Sequence, residues 1–167
     1  GNITLASDTN TNLMVNKVAH IYAQNVDTDG KVGFNHFTTF KVENGEIANL
    51  YFQKDSNSPT LNALVNTVDT QISISGVVNG IRNNTIGGKL YFLSPKGMIV
   101  GSTGVINAGA LTIVAPESIN GINDANDAAS KVVNNVNWGR LAEDDTNNPV
   151  KVTINGKINT ATGIDIQ

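Results

Sequence analysis

The chain has 167 residues, a formal net charge of −3, a pI near 5.2 and no cysteine. The acidic balance argues against nucleic acid or an anionic membrane as the main partner, and the missing cysteines exclude disulfides and thiolate metal sites. Hydrophobic residues make up 40% but aromatic residues only 5%, so one domain with a Val/Ile/Leu core is expected, and the Gly, Asn and Thr content predicts short strands and many turns.

Residues 1–55 read as strands separated by polar turns: Ile3-Thr4-Leu5, Leu13-Met14-Val15 and Ile21-Tyr22-Ala23. "NVDTDGKVGFNH" nearly spells a calcium loop, with Asn25, Asp27, Asp29, Gly30 and Val32 well placed. His36 stands where the bidentate Glu belongs and no flanking helices are indicated, so the segment reads as a solvated turn. Phe34, Phe37 and Phe40 then cluster, and "KVENGEIANLYF" reads as a hairpin turning at Asn44-Gly45. His36, inside this cluster, is expected to be packed or hydrogen-bonded, not catalytic. The whole segment predicts a cap of mixed or antiparallel strands covering a core and strand edges that would otherwise be open. "SPTLNALVNTVD" places Leu61, Leu64, Val65 and Val68 at helical spacing after Ser58-Pro59 and predicts a helix.

From residue 72 the chain repeats itself. Gly76-Val77-Val78-Asn79, Gly104-Val105-Ile106-Asn107 and Gly156-Lys157-Ile158-Asn159 share one wording. Each is preceded by a short strand (Ile72-Ser73-Ile74, Met98-Ile99-Val100, Val152-Thr153-Ile154) and followed by another containing Leu90, Leu111 or Ile164. Such strands cannot bury their apolar faces alone, and stacking successive units makes one continuous interior. Gly and Asn at the corners are expected to supply left-handed backbone. The pattern predicts an all-β fold, a right-handed parallel β-helix, with coils over 56–115 and 150–167.

Between Leu111 and Ile164 the step is too long, so residues 116–149 are expected to be an excursion from one coil. Ala128, Val132, Val133 and Val136 suggest a short helix there, capped by Asp124 or Asp127. Trp138 with the neighbouring Arg140 offers a candidate contact surface, but the favoured reading is that Trp138 covers the open flank of a coil, and Glu143-Asp144-Asp145 reads as a solvated acidic turn. The last strand, Ile164-Asp165-Ile166-Gln167, carries no capping signal, the expectation for a piece of a longer solenoid.

"GFNHFTTFKV", "LVNTVDTQISISGVVNG" and "GGKLYFLSPKGMIVGSTGVINAGALTIVAP" together resemble the amino-terminal secretion domain of two-partner secretion exoproteins, the filamentous-haemagglutinin and haemolysin family, with wording nearest to leukotoxin-type filamentous adhesins. The resemblance runs from about residue 33 to 115. An Asn-x-Phe-x-x-Phe element is matched by Asn35, Phe37 and Phe40, and Asn66 lies in the second stretch. The family's Asn-Pro-Asn-Gly-Ile signature reads here Ser94-Pro95-Lys96-Gly97-Met98, with both asparagines replaced, and is followed by Gly101 and Ile106-Asn107. The family's Asn-Pro-Asn-Leu loop is not found, which suggests a subfamily without it. The resemblance implies a secreted Gram-negative virulence protein, an adhesin or cytolysin, exported through the periplasm and across the outer membrane. It also implies a partner: an Omp85-type outer-membrane transporter whose periplasmic polypeptide-transport-associated domains recognise the chain. A host-cell ligand would belong to a region downstream, and a monomer is expected.

On the residues alone, the Ser94–Gly97 corner has turn chemistry, so a folding role is expected before a transporter contact. With His20 and His36 the only histidines, a catalytic triad or zinc site has little material, and no cofactor is indicated. Asp165 is the only acid in the repeat strands, against the carboxylate cluster with Arg or Lys that a polysaccharide lyase needs. No enzyme is therefore expected. The alternative to export is an adhesive module binding carbohydrate or a host protein.

Overall fold

The computed structural model describes residues 1–135 and 152–167. The fold is all-β, with strands β1 (Asn2–Leu5), β2 (Val18–Tyr22), β3 (Asn25–Val26), β4 (Val32–Val42), β5 (Ile47–Tyr51), β6 (Ala63–Val68), β7 (Ile72–Ile74) and β8 (Val77–Arg82). There follow β9 (Thr85–Ile86), β10 (Lys89–Leu93), β11 (Met98–Val100), β12 (Val105–Val114), β13 (Val152–Ile154) and β14 (Lys157–Ile166). One short helix, α1 (Ala125–Ala128), runs directly into a π-turn over Ala129–Val133.

The strands stack in three parallel ladders. The first holds β2, β5, β8 and the opening halves of β12 and β14, aligning Ala19, Ala48, Val78, Ile106 and Ile158. The second holds the front of β4, then β6, β10 and the closing halves of β12 and β14, aligning Gly33, Leu64, Leu90, Leu111 and Ile164. The third holds the end of β4, then β7, β11 and β13, aligning Val42, Ile74, Val100 and Ile154. The chain visits the ladders cyclically: β5, β6, β7, then β8, β10, β11, then β12. Three antiparallel pairs interrupt this rule, β1 and β3 against β4 and β9 against β8. The three strand triplets and the Leu90–Leu111–Ile164 column predicted from the repeat are all in register.

Two clusters of buried side chains result. The inner one, between the ladders, contains Phe37, Phe40, Phe52, Phe92, Leu50, Leu64, Leu90 and Leu111. The second lies outside the second ladder: Val32, Phe34, Ala63, Val65, Leu93 and Val114 are covered by Ile119, Ile122, Ala125, Ala128 and Val132 of the excursion. Asp124 caps α1 by accepting from Asp127 N at 2.8 Å, one of the two caps foreseen. The excursion is tied to the β3–β4 hairpin, with Ala125 N donating to Asn25 Oδ1 at 2.6 Å and Thr28 N to Asn126 Oδ1 at 2.9 Å.

Several sequence expectations are corrected. Residues 63–68 form strand β6, not a helix, because the excursion buries its outer face while the core buries its inner one. A strand buried on both sides loses its alternation, and the remaining apolar run mimics helical spacing. "KVENGEIANLYF" does turn at Gly45, with φ 87°, but β4 and β5 do not pair: they enter different ladders. Leu13-Met14-Val15 forms no strand beyond one bridge between Val15 and Val18. Residues 1–55 are also less foreign to the repeat than expected, since β2 and β5 continue the first ladder. Val136, Trp138, Arg140, Glu143-Asp144-Asp145 and Pro149 lie outside the described residues.

The repeat glycines act by smallness. Gly76, Gly104 and Gly156 lack positive φ; the left-handed backbone expected of Gly and Asn at the corners is found instead at Gly45, Asn83, Asn84, Gly88 and Gly97. A Cβ at Gly76 would instead run into Glu43 O and Glu46 O, one at Gly104 into Ile74 O, and one at Gly156 into Gly104 O. Each glycine lets one coil's backbone settle onto the carbonyls of the coil before it.

Candidate functional site

The Ser94–Gly97 corner joins β10 to β11. Gly97 N donates to Ser94 O at 3.1 Å, closing the turn, and Gly97 holds φ 78°. Ser94 is buried, and its hydroxyl has two partners: it accepts from Lys96 N at 3.1 Å and donates to Thr70 O at 2.7 Å. An asparagine at this place would accept from the same amide through its side-chain oxygen and donate through its amide nitrogen. The serine hydroxyl performs both tasks from one atom. Gly97 O receives Ile72 N at 3.0 Å and Ser94 N reaches Val114 O at 3.0 Å, so the corner is bonded to the coils on both sides.

Asn35 and Asn66 meet at adjacent positions of β4 and β6. Asn35 Nδ2 donates to Asn66 Oδ1 at 3.1 Å, Asn66 Nδ2 to Tyr91 O at 3.1 Å, and Gln24 N to Asn35 Oδ1 at 2.9 Å. Both side chains are fully buried, so this chain of bonds satisfies amides that would be costly if left unpaired. Phe37 and Phe40 pack edge to face with centroids 5.1 Å apart, and Phe40 meets Phe92 at 5.3 Å. Met98 is buried in the same core. Thus the structure brings Phe37, Phe40 and Met98 into the interior and places Asn35 and Asn66 beside them, whereas Pro95 and Gly101 are half-buried and Lys96 is exposed.

Asn107 lies elsewhere, on the outer side of the first ladder. Asn159 Nδ2 donates to Asn107 Oδ1 at 2.8 Å, Asn107 Nδ2 to Asn79 Oδ1 at 2.9 Å, and Asn79 Nδ2 to Asn49 Oδ1 at 3.0 Å. Sequence reading found three members of this ladder and missed Asn49, because Glu46 replaces the leading glycine in Glu46-Ile47-Ala48-Asn49. His20 continues the column, and its Nδ1 lies 2.6 Å from Tyr51 Oη, while Tyr22 and Tyr51 stack at 4.5 Å.

The remaining polar groups also find structural partners. Asp27 Oδ1 accepts from Lys31 N at 2.8 Å and Val32 N at 2.9 Å, so the apparent calcium loop is a hairpin tied by a buried carboxylate. His36 points away from the phenylalanines, with Nε2 2.7 Å from Asp69 Oδ1, so it is hydrogen-bonded as expected but at the surface. Tyr91 is half-buried beside the excursion; burial first, and then the Asp165 carboxylate, push its phenol above the ordinary value. Among the described residues no three His, Asp or Glu side chains are grouped as a metal site would require.

No protein-family model, no curated protein and no solved structure matches the chain.

Proposed function

We propose that the chain is a two-partner-secretion-type domain: a right-handed parallel β-helix, non-enzymatic, that an Omp85-type outer-membrane transporter recognises and that seeds further coils at the cell surface of a Gram-negative bacterium. The observation that carries this reading is the sealed start of the second and third ladders. β4 gives one edge to β6 and β7 and the other to antiparallel β1 and β3, so it cannot template another chain on that side. Growth along those two ladders then has one direction. Coils form slowly because their contacts are non-local, and a closed first coil removes that nucleation step for each coil that follows.

The placement of the motif residues supports recognition before folding. Asn35, Phe37, Phe40, Asn66, Ser94 and Met98 are buried in the folded chain, so a partner reads them only while the chain is extended. The same residues then hold the coils together. One sequence thereby serves transport while unfolded and stability once outside.

The test is retention of the chain on immobilised periplasmic domains of the transporter, in urea-unfolded and folded form. Retention of the unfolded chain alone is the expected result. No retention of either form, with binding on a glycan array, would make the adhesive reading the better one.

A further inference from the structure

A second feature owes nothing to the export motifs. Where the first ladder turns into the second, a surface cleft of about 350 Å³ runs across successive coils, lined by Asn62, Arg82, Gly88, Lys89, Gly109 and Ala110, with Thr162 at its far end. Its floor is kept shallow by packing. A Cβ at Gly88 would strike the Phe52 ring, and one at Gly109 would come within 2.8 Å of Gly88 N.

The walls are cationic. Arg82 is held in place by Nε donating to Leu61 O at 2.8 Å and Nη2 to Asn62 Oδ1 at 3.2 Å. A guanidinium carries five N–H donors, so three have no partner among the described residues and can face a ligand. Lys89 is exposed, and neither cation forms an ion pair among the described residues. Among the described residues no carboxylate lines the cleft, although the whole chain is acidic. Fixed positive charge over a flat floor of glycine and alanine, within a negative molecule, concentrates an anionic ligand there.

We propose that this cleft binds an anionic saccharide, through a carboxylate or sulfate held by Arg82 and Lys89 and ring hydroxyls met by Asn62 and Thr162. A peptide strand is the poorer occupant, because the floor's backbone is already paired: Gly109 N and Ala110 N both reach Gly88 O, and Lys89 N reaches Asn62 O. Among the described lining residues there is no aromatic plate on which a base would stack. A bare inorganic anion would leave most of the volume empty. The proposal stands whether or not the export reading holds.

The test is calorimetric titration of the folded chain with a sulfated heparin-type disaccharide, digalacturonate and the uncharged cellobiose, with amide shifts followed at Gly88 and Gly109. The expected result is binding of at least one charged sugar about tenfold or more tighter than cellobiose, weakened by added salt. The sulfated and carboxylated arms show which anion is preferred. Lys89→Ser and Arg82→Gln should each lower the affinity about fivefold or more. Lys89→Glu, at an exposed position that cannot disturb the fold, should abolish binding. Equal affinity for charged and neutral sugars, no binding of any, or an unchanged affinity in Lys89→Glu would overturn the proposal.

Discussion

Asn35 and Asn66 face one another across adjacent coils, wholly buried, with Asn35 Nδ2 donating to Asn66 Oδ1 at 3.1 Å. Asn66 spends its own amide on Tyr91 O in the next coil, so one side chain couples three coils. Asn66→Ala leaves Asn35 Nδ2 without its partner in the interior and removes the side-chain donor to Tyr91 O, which keeps its place in the parallel ladder. An unsatisfied buried group costs about 1–3 kcal/mol, and a loss in that range is expected in urea denaturation. The double variant with Asn35→Ala should cost less than the sum of the two singles, since the second change removes a group already orphaned. Additive losses would show that the two amides do not act as a unit.

The corner at Ser94 offers a sharper comparison. Ser94→Ala removes the donor to Thr70 O and the acceptor for Lys96 N together, for an expected loss of about 1–3 kcal/mol. Ser94→Asn can rebuild both bonds and should recover most of that loss. Gly97→Ala forces a side chain into φ 78°, at about 1–2 kcal/mol. Thermal melts followed by circular dichroism report all three, and a Ser94→Asn variant no better than Ser94→Ala would refute the equivalence of serine and asparagine here.

The glycines separate two physical causes. Gly104→Ala and Gly156→Ala meet no φ penalty, yet each drives a Cβ into a carbonyl of the preceding coil. Because the obstacle is backbone, the coils must part, and overpacking of this kind costs about 1–3 kcal/mol or more. Gly87 is the control: its φ is not positive and a Cβ there would find only Arg82 Cβ at 3.7 Å. Gly87→Ala should be neutral or stabilising by up to about 1 kcal/mol. Equal melting temperatures for Gly87→Ala and Gly104→Ala would show that close approach is not the reason for the repeat glycine.

The stacking of the coils was legible in the sequence because each repeated strand has an inner face in the core and an outer face that is mostly polar. Ile72, Ile74, Met98 and Val100 point inward while Ser73 and Ile99 point out, and that alternation survives in the text. It fails at β6, where Ala63 and Val65 are apolar only because Ile122, Ala125 and Ala128 cover them from some 60 residues away in sequence. No local pattern carries that information. Pairing of Asn35 with Asn66 was equally hidden, since neighbouring coils are a full turn apart in the chain. Arg82 and Lys89 were passed over for a different reason: they carry no motif, and only the corner between ladders brings them to one cleft.

Docking of the excursion can be tested at α1. Ala125 and Ala128 are fully buried against the outer face of the second ladder. Ala128→Lys puts a long cation where only a methyl fits, and the helix is expected to lift off, exposing Phe34 and Val65. The inner core, built from other residues, should remain. Hydrogen exchange should therefore rise in α1 and β3 while the amides of β7 and β11 keep their protection. Uniform loss of protection would mean the excursion and the ladders unfold as one unit.

Tyr91 supplies a pH dependence of defined sign. Burial first, then the Asp165 carboxylate, raise its phenol above the ordinary 10.0, whereas the unfolded chain ionises near that value. Over the interval between the two, the folded state holds more protons than the unfolded one, so stability falls as pH rises. The stabilisation is complete below the unfolded value and is lost as pH climbs toward the folded one. Tyr51, raised by burial first and then by Tyr22, adds to the same loss. In an ultraviolet titration Asp165→Asn should shift the Tyr91 step downward, by less than full exposure would. Tyr91→Phe should flatten the alkaline decline in stability. An undiminished decline in that variant would assign the dependence to other groups.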